Sequence, residues 1–303
     1  QNIESVIRGK SDVVKNAIIA MLAQGHLLIE DVPGVGKTTL AHLIALSLSC
    51  SFQRIQFTSD LLPSDILGVT IYDPEHRQFE FRKGPIFANI ILADEINRTT
   101  PKTQSSLLEA MNNFRVSMDK ATYDLPRPFM VIATQNPIEF HGTFPLPKSQ
   151  MDRFLMRLHI GYPDLNDEVA ILRDQKSLDI LSDTRPVLDA SEILELQKAV
   201  EEVKVDDDLI QYIGRIVAAT RNSSRIELGA SPRGALALRR AAQARACYEN
   251  RDYCIPDDIK SMAASVLAHR IQVARTFESG GLGAHHDDEQ VLLQVISEVE
   301  VPL

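Results

Sequence analysis

One glycine-rich stretch decides the fold: Asp31-Val32-Pro33-Gly34-Val35-Gly36-Lys37-Thr38. It lies between a short apolar run, residues 25–30, and a segment with leucine and isoleucine at helical spacing, residues 39–49. A glycine-rich turn between a strand and a helix points backbone N–H groups at phosphate, and the helix N-terminus adds a positive dipole. The stretch therefore predicts a phosphate-binding loop.

The polar side chains of this loop have expected roles. Lys37 is expected to reach the β- and γ-phosphates of ATP, and the Thr38 hydroxyl to coordinate Mg²⁺. The common pattern is G-x-x-x-x-G-K-S/T, and Asp31 stands where its first glycine is usual, so the geometry at the loop entry is in doubt. The residues expected to bind nucleotide are Pro33, Gly34, Val35, Gly36, Lys37, Thr38 and Thr39.

A second stretch, Ile90-Ile91-Leu92-Ala93-Asp94-Glu95, is an apolar run that ends in two acids. Its pattern is typical of a buried strand. Asp94 is expected to hold Mg²⁺ through water, and Glu95 to polarise the attacking water. The two stretches together predict a site that hydrolyses ATP with Mg²⁺ as cofactor.

Composition limits the other possibilities. The 303 residues favour two domains, and 32 basic against 41 acidic residues give a net charge of −9, which provides no general electrostatic footprint for nucleic acid. The three cysteines have no metal-ligand spacing and favour a reducing compartment. No run approaches the roughly 18 apolar residues of a membrane span, and the first residues lack a secretory signal, so a cytoplasmic location is expected.

The chain divides into two predicted domains. Residues 1–161 alternate strands and helices, which predicts an α/β domain with a parallel five-stranded sheet covered on both faces. Residues 162–303 carry successive helical patterns, starting with 167–181, and predict an all-α domain after a hinge at Tyr162-Pro163-Asp164. The string 285–289, which begins with two histidines, is expected to be a polar loop rather than a metal site, because no further ligand has a defined spacing. The five predicted strands are residues 25–30, 54–58, 89–94, 129–134 and 154–160.

Two β-hairpins interrupt the alternation. Residues 69–72 and 79–82 flank a plausible turn, and residues 114–118 pair naturally with 122–125. The hairpins either decorate the sheet or act as levers that touch a partner.

Three further residues are candidates for the chemistry. Asn136 follows a predicted strand, where it either orients the attacking water or the γ-phosphate, or caps a turn. Arg153 is expected either to reach the phosphate site of a neighbouring subunit or to pair locally with Asp152. Arg233 follows Ser231-Pro232 at a predicted helix start, where the helix dipole disfavours a cation; it is expected to meet an anion such as a nucleotide phosphate, or else to be exposed to solvent.

These motifs together resemble the MoxR-type AAA+ ATPases over nearly the whole chain. The likeness includes the non-glycine first position of the phosphate loop. It is carried by residues 29–38, 84–89, 93–98, 134–137 and 151–154.

The resemblance implies further roles. It makes Asn136 the sensor-1 residue, Arg153 the arginine finger and Arg233 the sensor-2 arginine, which acts on its own nucleotide or on a neighbour's. Arg98 is an interface candidate only. The hairpins resemble the helix-2 insertion and the pre-sensor-1 hairpin, which line the pore side of a ring.

Partners also follow from the resemblance. Family members self-associate into rings, here expected to be hexamers, and remodel or mature protein clients, often ones with von Willebrand A domains. Two other function classes stay open: a nucleic-acid motor, which the acidic balance disfavours, and a nucleotide-gated switch with little hydrolysis.

Overall fold

The structure is a computed structural model that describes residues 2–4, 6–118, 121–136, 142–173, 184–274 and 284–302. The first nine strands are β1 (Leu27–Glu30), β2 (Phe52–Gln56), β3 (Gly68–Asp73), β4 (Gln78–Lys83), β5 (Ile90–Asp94), β6 (Arg115–Met118), β7 (Ala121–Asp124), β8 (Met130–Gln135) and β9 (Met156–Leu158). Five of them form the main, parallel sheet, in the spatial order β2, β5, β8, β1, β9.

The central strands follow from their apolar sequences. Every residue of β1 and β5 is buried, and so are the first five of β8. A strand covered on both faces needs such a continuous apolar run, because neither face meets water. Glu30 pairs with Gln135, Ala93 with Ala133 and Gln56 with Asp94, so the carboxyl ends of four strands meet at one edge of the sheet. This is the edge where parallel sheets bind ligands.

Both predicted hairpins are confirmed. β3 and β4 pair antiparallel, with Tyr72 opposite Phe79, and the two rings meet edge to face at 5.4 Å. β6 and β7 pair antiparallel with Arg115 opposite Asp124, and these side chains form an ion pair of 2.7 Å. Part of the predicted turn of the second hairpin, residues 119–120, lies outside the described residues.

Helices cover the sheet and make up most of the second half of the chain. They are α1 (Ser11–Leu22), α2 (Lys37–Ser47), α3 (Pro63–Leu67), α4 (Pro101–Asn113), α5 (Lys148–Met151), α6 (Leu165–Arg173), α7 (Ala190–Glu202), α8 (Asp207–Asn222), α9 (Pro232–Tyr248), α10 (Pro256–Leu267) and α11 (Ala284–Ser297). A two-stranded antiparallel sheet, β10 (Ile226–Leu228) with β11 (Gln272–Val273), was not predicted. These strands are too short to leave a pattern in the sequence.

Several predicted elements differ from the structure. The fifth strand covers 156–158 instead of 154–160. The second strand covers 52–56 instead of 54–58, because its pairing with β5 begins at Ile90. The helix predicted at 167–181 begins at Leu165, since the Asp164 carboxylate accepts a bond from Asp167 N, and residues 174–181 lie outside the described part. The string 285–289 is not a loop: it belongs to α11, where Glu289 pairs with the buried Arg157 at 3.5 Å. The side chains of its two histidines lie outside the described residues.

The chain forms two compact units. The phosphate-loop unit comprises Gln1–Asn16, His26–Leu146 and His159–Leu194. The helical unit comprises Ala17–Gly25, Pro147–Leu158 and Glu195–Leu303. The domain boundary at 161/162 stays a prediction.

Candidate active site

The phosphate loop has the backbone that its glycines predict. Gly34 and Gly36 have φ angles of 85° and 92°, in the left-handed region that disfavours other residues. Gly36 is the N-cap of α2, and no side chain caps that end. The first N–H groups of the helix therefore have no capping side chain and are available to an anion bound in the loop.

Lys37 bends back over its own loop. Its Nζ donates to the carbonyl oxygens of Asp31, at 2.6 Å, and Val32, at 3.2 Å. Partial burial lowers the pKa of Lys37, against the opposing pull of Asp31, Asp94 and Glu95. The ammonium is thus held in the loop by two backbone carbonyl oxygens, and a phosphate offers it a negatively charged partner instead.

Asp31 explains the departure from the glycine pattern. Its Oδ2 accepts from the backbone N–H groups of Ile160 and Gly161, both at 2.7 Å, and its Oδ1 accepts from Val32 N at 3.0 Å. A carboxylate at this position ties the loop entry to the chain that leaves the last strand. A glycine could not make these bonds, so the doubtful position has a structural role.

Asp94, at the end of β5, has both carboxylate oxygens occupied. Oδ1 accepts from Thr134 Oγ1 at 2.6 Å. Oδ2 accepts from Arg54 Nε at 3.1 Å and from Arg54 Nη2 at 2.6 Å. Thr134 fixes the orientation of the carboxylate from the neighbouring strand, while Arg54 reaches it from the edge strand β2.

Glu95 is held in an unusual conformation. Its φ of 57° is left-handed, which is uncommon for a residue other than glycine and clusters at functional sites. Its N–H donates to Thr134 Oγ1 at 2.8 Å, and its Oε2 accepts from Arg98 Nη1 at 2.8 Å and Gln56 Nε2 at 3.1 Å. Within the described chain, Oε1 of Glu95 has no hydrogen-bond partner. Arg98, an interface candidate by resemblance, contacts the acid of its own chain.

One cleft of about 380 Å³ brings the predicted residues together. Asn136 reaches it from the end of β8 and is 5% exposed. Val35 belongs to the loop but does not line the cleft. The lining residues are Pro33, Gly34, Gly36, Lys37, Thr38, Thr39, Arg54, Asp94, Glu95 and Asn136.

The cleft fits a magnesium nucleotide. The positive-φ glycines and the uncapped start of α2 offer backbone donors for phosphate, and Lys37 supplies a cation. Thr38 and Asp94 supply the hydroxyl and carboxylate oxygens that suit Mg²⁺. Elsewhere in the described residues, no group of three or more His, Cys, Asp and Glu side chains is arranged to hold a metal ion.

Arg153 and Arg233 both lie in the helical unit. Arg153 is half-buried in the segment after α5. Its neighbour Asp152 accepts from Arg270 Nε at 2.8 Å and from Ser231 Oγ at 3.0 Å. The carboxylate that was the candidate local partner of Arg153 is therefore bound to other side chains.

Arg233 stands in the first turn of α9, as predicted. Ser231 is the N-cap, and its Oγ accepts from Gly234 N at 3.2 Å. Arg233 is exposed and, among the described residues, forms no ion pair with an acid. Its electrostatic effect is to lower the pKa of Arg270, as one cation does to another. The anion expected beside it is not provided by the described side chains of this chain.

Sequence reasoning missed Arg54, Gln56 and Thr134. Arg54 and Gln56 are two residues apart, so they share one face of β2. Their partners Asp94 and Glu95 are identified only by the pairing of β2 with β5, which a single sequence does not reveal. Thr134 ends a predicted strand, and its hydroxyl in an otherwise apolar run was a signal for a buried hydrogen bond.

The family comparison defines the class of protein. The description "ATPase family associated with various cellular activities (AAA)" matches residues 26–156, and "AAA lid domain" matches residues 218–292. The fold and the phosphate-loop cleft are thus those of an AAA+ ATPase. No helix in the described ranges has the length and apolar character to cross a bilayer.

Relatives identify the branch of that class. The chain is 46% identical over 303 residues to the uncharacterized protein YeaC of Bacillus subtilis, covering 100% of this chain and 93% of the relative. It is 37% identical over 309 residues to Chaperone MoxR1 of Mycobacterium tuberculosis, covering 99% and 80%. A crystal structure of a candidate ATPase from Cytophaga hutchinsonii matches with a TM-score of 0.89 and 37% identity, covering 100% and 93%. The chain belongs to the MoxR-type AAA+ ATPases.

Proposed function

We propose that this protein hydrolyses ATP with Mg²⁺ and uses the turnover to remodel or mature a protein client. One observation supports the chemistry most directly: a single cleft is lined by Lys37, Thr38, Asp94, Glu95 and Asn136. Phosphoryl transfer to water requires a cation that binds the phosphates, two metal-binding groups, a carboxylate base and a polar amide.

Each residue has a distinct task in this proposal. Backbone N–H groups of the loop and Lys37 bind the β- and γ-phosphates, and Thr38 and Asp94 hold the metal ion. The ion, when bound, neutralises charge on the phosphate oxygens. Asn136 orients the γ-phosphate or the attacking water. Glu95 accepts a hydrogen bond from that water through Oε1, because its Oε2 is occupied by Arg98 and Gln56.

Assembly completes the proposed site. Arg153 belongs to the helical unit, and an arginine supplied by an adjacent subunit of a ring, expected to be a hexamer, stabilises charge on the transferred phosphoryl group. Arg233, exposed at a helix start and without an acidic partner among the described residues, suits a phosphate of its own or a neighbouring nucleotide.

The client is proposed to be a protein, and a von Willebrand A domain fits the family resemblance. The first hairpin, β3–β4, exposes Tyr72 and Phe79 by 52% and 75%. Exposed aromatic residues on a projecting hairpin are typical of surfaces that contact proteins. The net charge of −9 does not favour a nucleic-acid partner.

Phosphate release from Mg·ATP per subunit, followed over a wide range of protein concentration, tests the proposal. We expect the per-subunit rate to rise with concentration, because Arg153 acts across an interface. The Glu95→Gln variant is the blank, since it should bind ATP and lose turnover by about 10²-fold or more. A flat rate at the level of this blank, with ATP bound, would favour the nucleotide-gated switch.

Mixing of variant subunits tests the role of Arg153. Arg153→Ala subunits lack the arginine but keep the phosphate loop, whereas Lys37→Ala subunits keep the arginine and lose ATP binding. We expect a mixture to hydrolyse ATP faster than either variant alone, because an interface that joins the phosphate loop of an Arg153→Ala subunit to the arginine of a Lys37→Ala subunit is a complete site. No gain over the sum of the two variants would contradict action in trans.

A further inference from the structure

Arg54 is a cation in the cleft for which the proposed reaction has no assigned task. It donates twice to Oδ2 of Asp94, the acid proposed to hold the metal ion, and the other oxygen of that acid is bound to Thr134. Resting on the proposed function, we propose that Arg54 neutralises Asp94 when no metal is bound and competes with Mg²⁺ for this carboxylate. Arg54 then sets how strongly nucleotide binding depends on Mg²⁺.

The position of Arg54 makes the exchange local. Arg54 lies on β2 opposite Leu92, and Gln56 lies opposite Asp94, so the side chain of Arg54 reaches two residues along the neighbouring strand. Its guanidinium lines the same cleft as Lys37 and Thr38. The positive charge of Arg54 therefore lies within the volume where phosphate is expected, and while it stays on Asp94 it neutralises that carboxylate.

The contacts of Arg54 are few enough to exchange. Half of its side chain is exposed, at 50%, while that of Asp94 is 11% exposed. In the described chain its one other hydrogen-bond partner is Gln56 Oε1, at 2.7 Å, and it bonds to no backbone carbonyl. An ion pair that is open to water on one side contributes about 1 kcal/mol or less, which metal and phosphate charges readily exceed.

Removal of Arg54 has opposite effects with and without the metal. Without Mg²⁺, removal of Arg54 leaves the Asp94 carboxylate as an unneutralised negative charge in the phosphate cleft, so nucleotide binding weakens. With Mg²⁺, Asp94 loses a competitor, and the metal contributes more to nucleotide affinity. Both effects raise the ratio of the Kd in EDTA to the Kd in Mg²⁺, which is the coupling between metal and nucleotide.

The experiment measures this ratio with a fluorescent, non-hydrolysable ATP analogue, in excess EDTA and in excess Mg²⁺. We expect Arg54→Gln to raise the ratio by about fivefold, the scale of an ion pair of about 1 kcal/mol that the metal no longer has to break. Arg54→Lys keeps the charge without the fork and should give an intermediate ratio. It also provides the measurement if Arg54→Gln does not fold.

Arg98→Gln is the matched control. Arg98 has the same exposed fraction, 50%, and pairs with an acid of the same site, but that acid is Glu95. We expect its ratio to stay within about twofold of the unmodified protein, because the metal-binding carboxylate is untouched. An equal rise in Arg98→Gln would reduce the effect to general charge and overturn the role of Arg54.

The remaining outcomes separate this inference from the proposed function. An unchanged or lower ratio in Arg54→Gln, with binding that Lys37→Ala abolishes, overturns the exchange and leaves the ATPase proposal standing. Absence of nucleotide binding by the unmodified protein in both conditions overturns both.

Discussion

The molecule contains two arginine–aspartate pairs that are alike in chemistry and opposite in environment. In the phosphate-loop unit Arg54 meets Asp94 at 2.6 Å, and in the helical unit Arg270 meets Asp152 at 2.8 Å. The Arg54 side chain is 50% exposed, whereas that of Arg270 is 2% exposed. The distances are nearly equal, so the difference between the pairs lies in what surrounds the cation.

Burial gives Arg270 many partners. Besides Asp152, its guanidinium donates to the carbonyl oxygens of Phe154, at 2.6 Å, and Leu155, at 3.1 Å, and to that of Val266. Burial lowers its pKa to about 10, against the opposing effect of Asp152. These bonds hold the chain on the C-terminal side of Arg153, the proposed finger. The comparison teaches that an exposed pair can exchange with a ligand, whereas a buried one fixes backbone.

The largest effect should come from Arg270→Met. Loss of the guanidinium leaves Asp152 without its cation and several carbonyl oxygens without donors, so we expect a loss of about 3–5 kcal/mol in the free energy of unfolding. Urea unfolding measures it. The control is Arg225→Met, whose partner Glu298 is 62% exposed, and which should cost about 1 kcal/mol or less. Equal losses would show that burial does not distinguish the pairs.

In the phosphate-loop unit, protonation of His26 at low pH creates a buried charge. The Nε2 of His26 donates to Met111 O at 3.1 Å, and its Nδ1 accepts from Val131 N at 3.1 Å. Burial, together with the smaller effect of the nearby Arg127 and against the Met111 bond, lowers the pKa of His26 to about 4. Its contribution to stability is therefore complete above pH 6.5 and is lost as the pH falls through about 4.

We expect this histidine to remove about 3 kcal/mol of stability between pH 7 and pH 4. The check is urea unfolding of the unmodified protein and of His26→Gln across that range, where the difference between the two curves isolates this group from the titrating acids. The variant should lose less stability on acidification. Parallel curves would contradict the assignment and show that water reaches this part of the core.

Much of the fold was predictable from local patterns. The five strands, both hairpins and the start of α9 at Ser231-Pro232 follow from apolar runs, turn residues and capping signals. The strand order was out of reach, because pairing between distant segments depends on tertiary packing.

The same limit applies to the site. The proposed roles of Lys37 and Asp94 were recognisable because the neighbouring residues of the same sequence motif define the local geometry. Arg54 and Thr134 both contact Asp94, and each lies 40 residues away from it along the chain. Arg270 contacts Asp152 across 118 residues. A single sequence can indicate that a side chain such as Thr134 is bonded, but it does not identify the distant partner.

Ser231→Ala sharpens the comparison within the helical unit, since it removes the neutral partner of Asp152. The change also removes the N-cap of α9, and we expect a loss of about 1 kcal/mol in the free energy of unfolding. Ser261→Ala is the control: its exposed hydroxyl bonds to the Asp257 carbonyl inside a helix, and its loss should cost about 0.5 kcal/mol or less. Equal costs for the two serines would mean that neither the cap of α9 nor the bond to Asp152 makes a contribution to stability.

The smallest effect should come from Arg54→Gln. Because half of the cation is exposed and Asp94 keeps its bond from Thr134, we expect the free energy of unfolding to change by less than about 1 kcal/mol. Arg115→Gln, which breaks the exposed pair with Asp124 in the same unit, is the control and should behave alike. A loss as large as that of Arg270→Met would make the Arg54–Asp94 pair structural. Mg²⁺ could then displace Arg54 only by destabilising the fold, and the exchange inferred for the cleft would lose its physical basis.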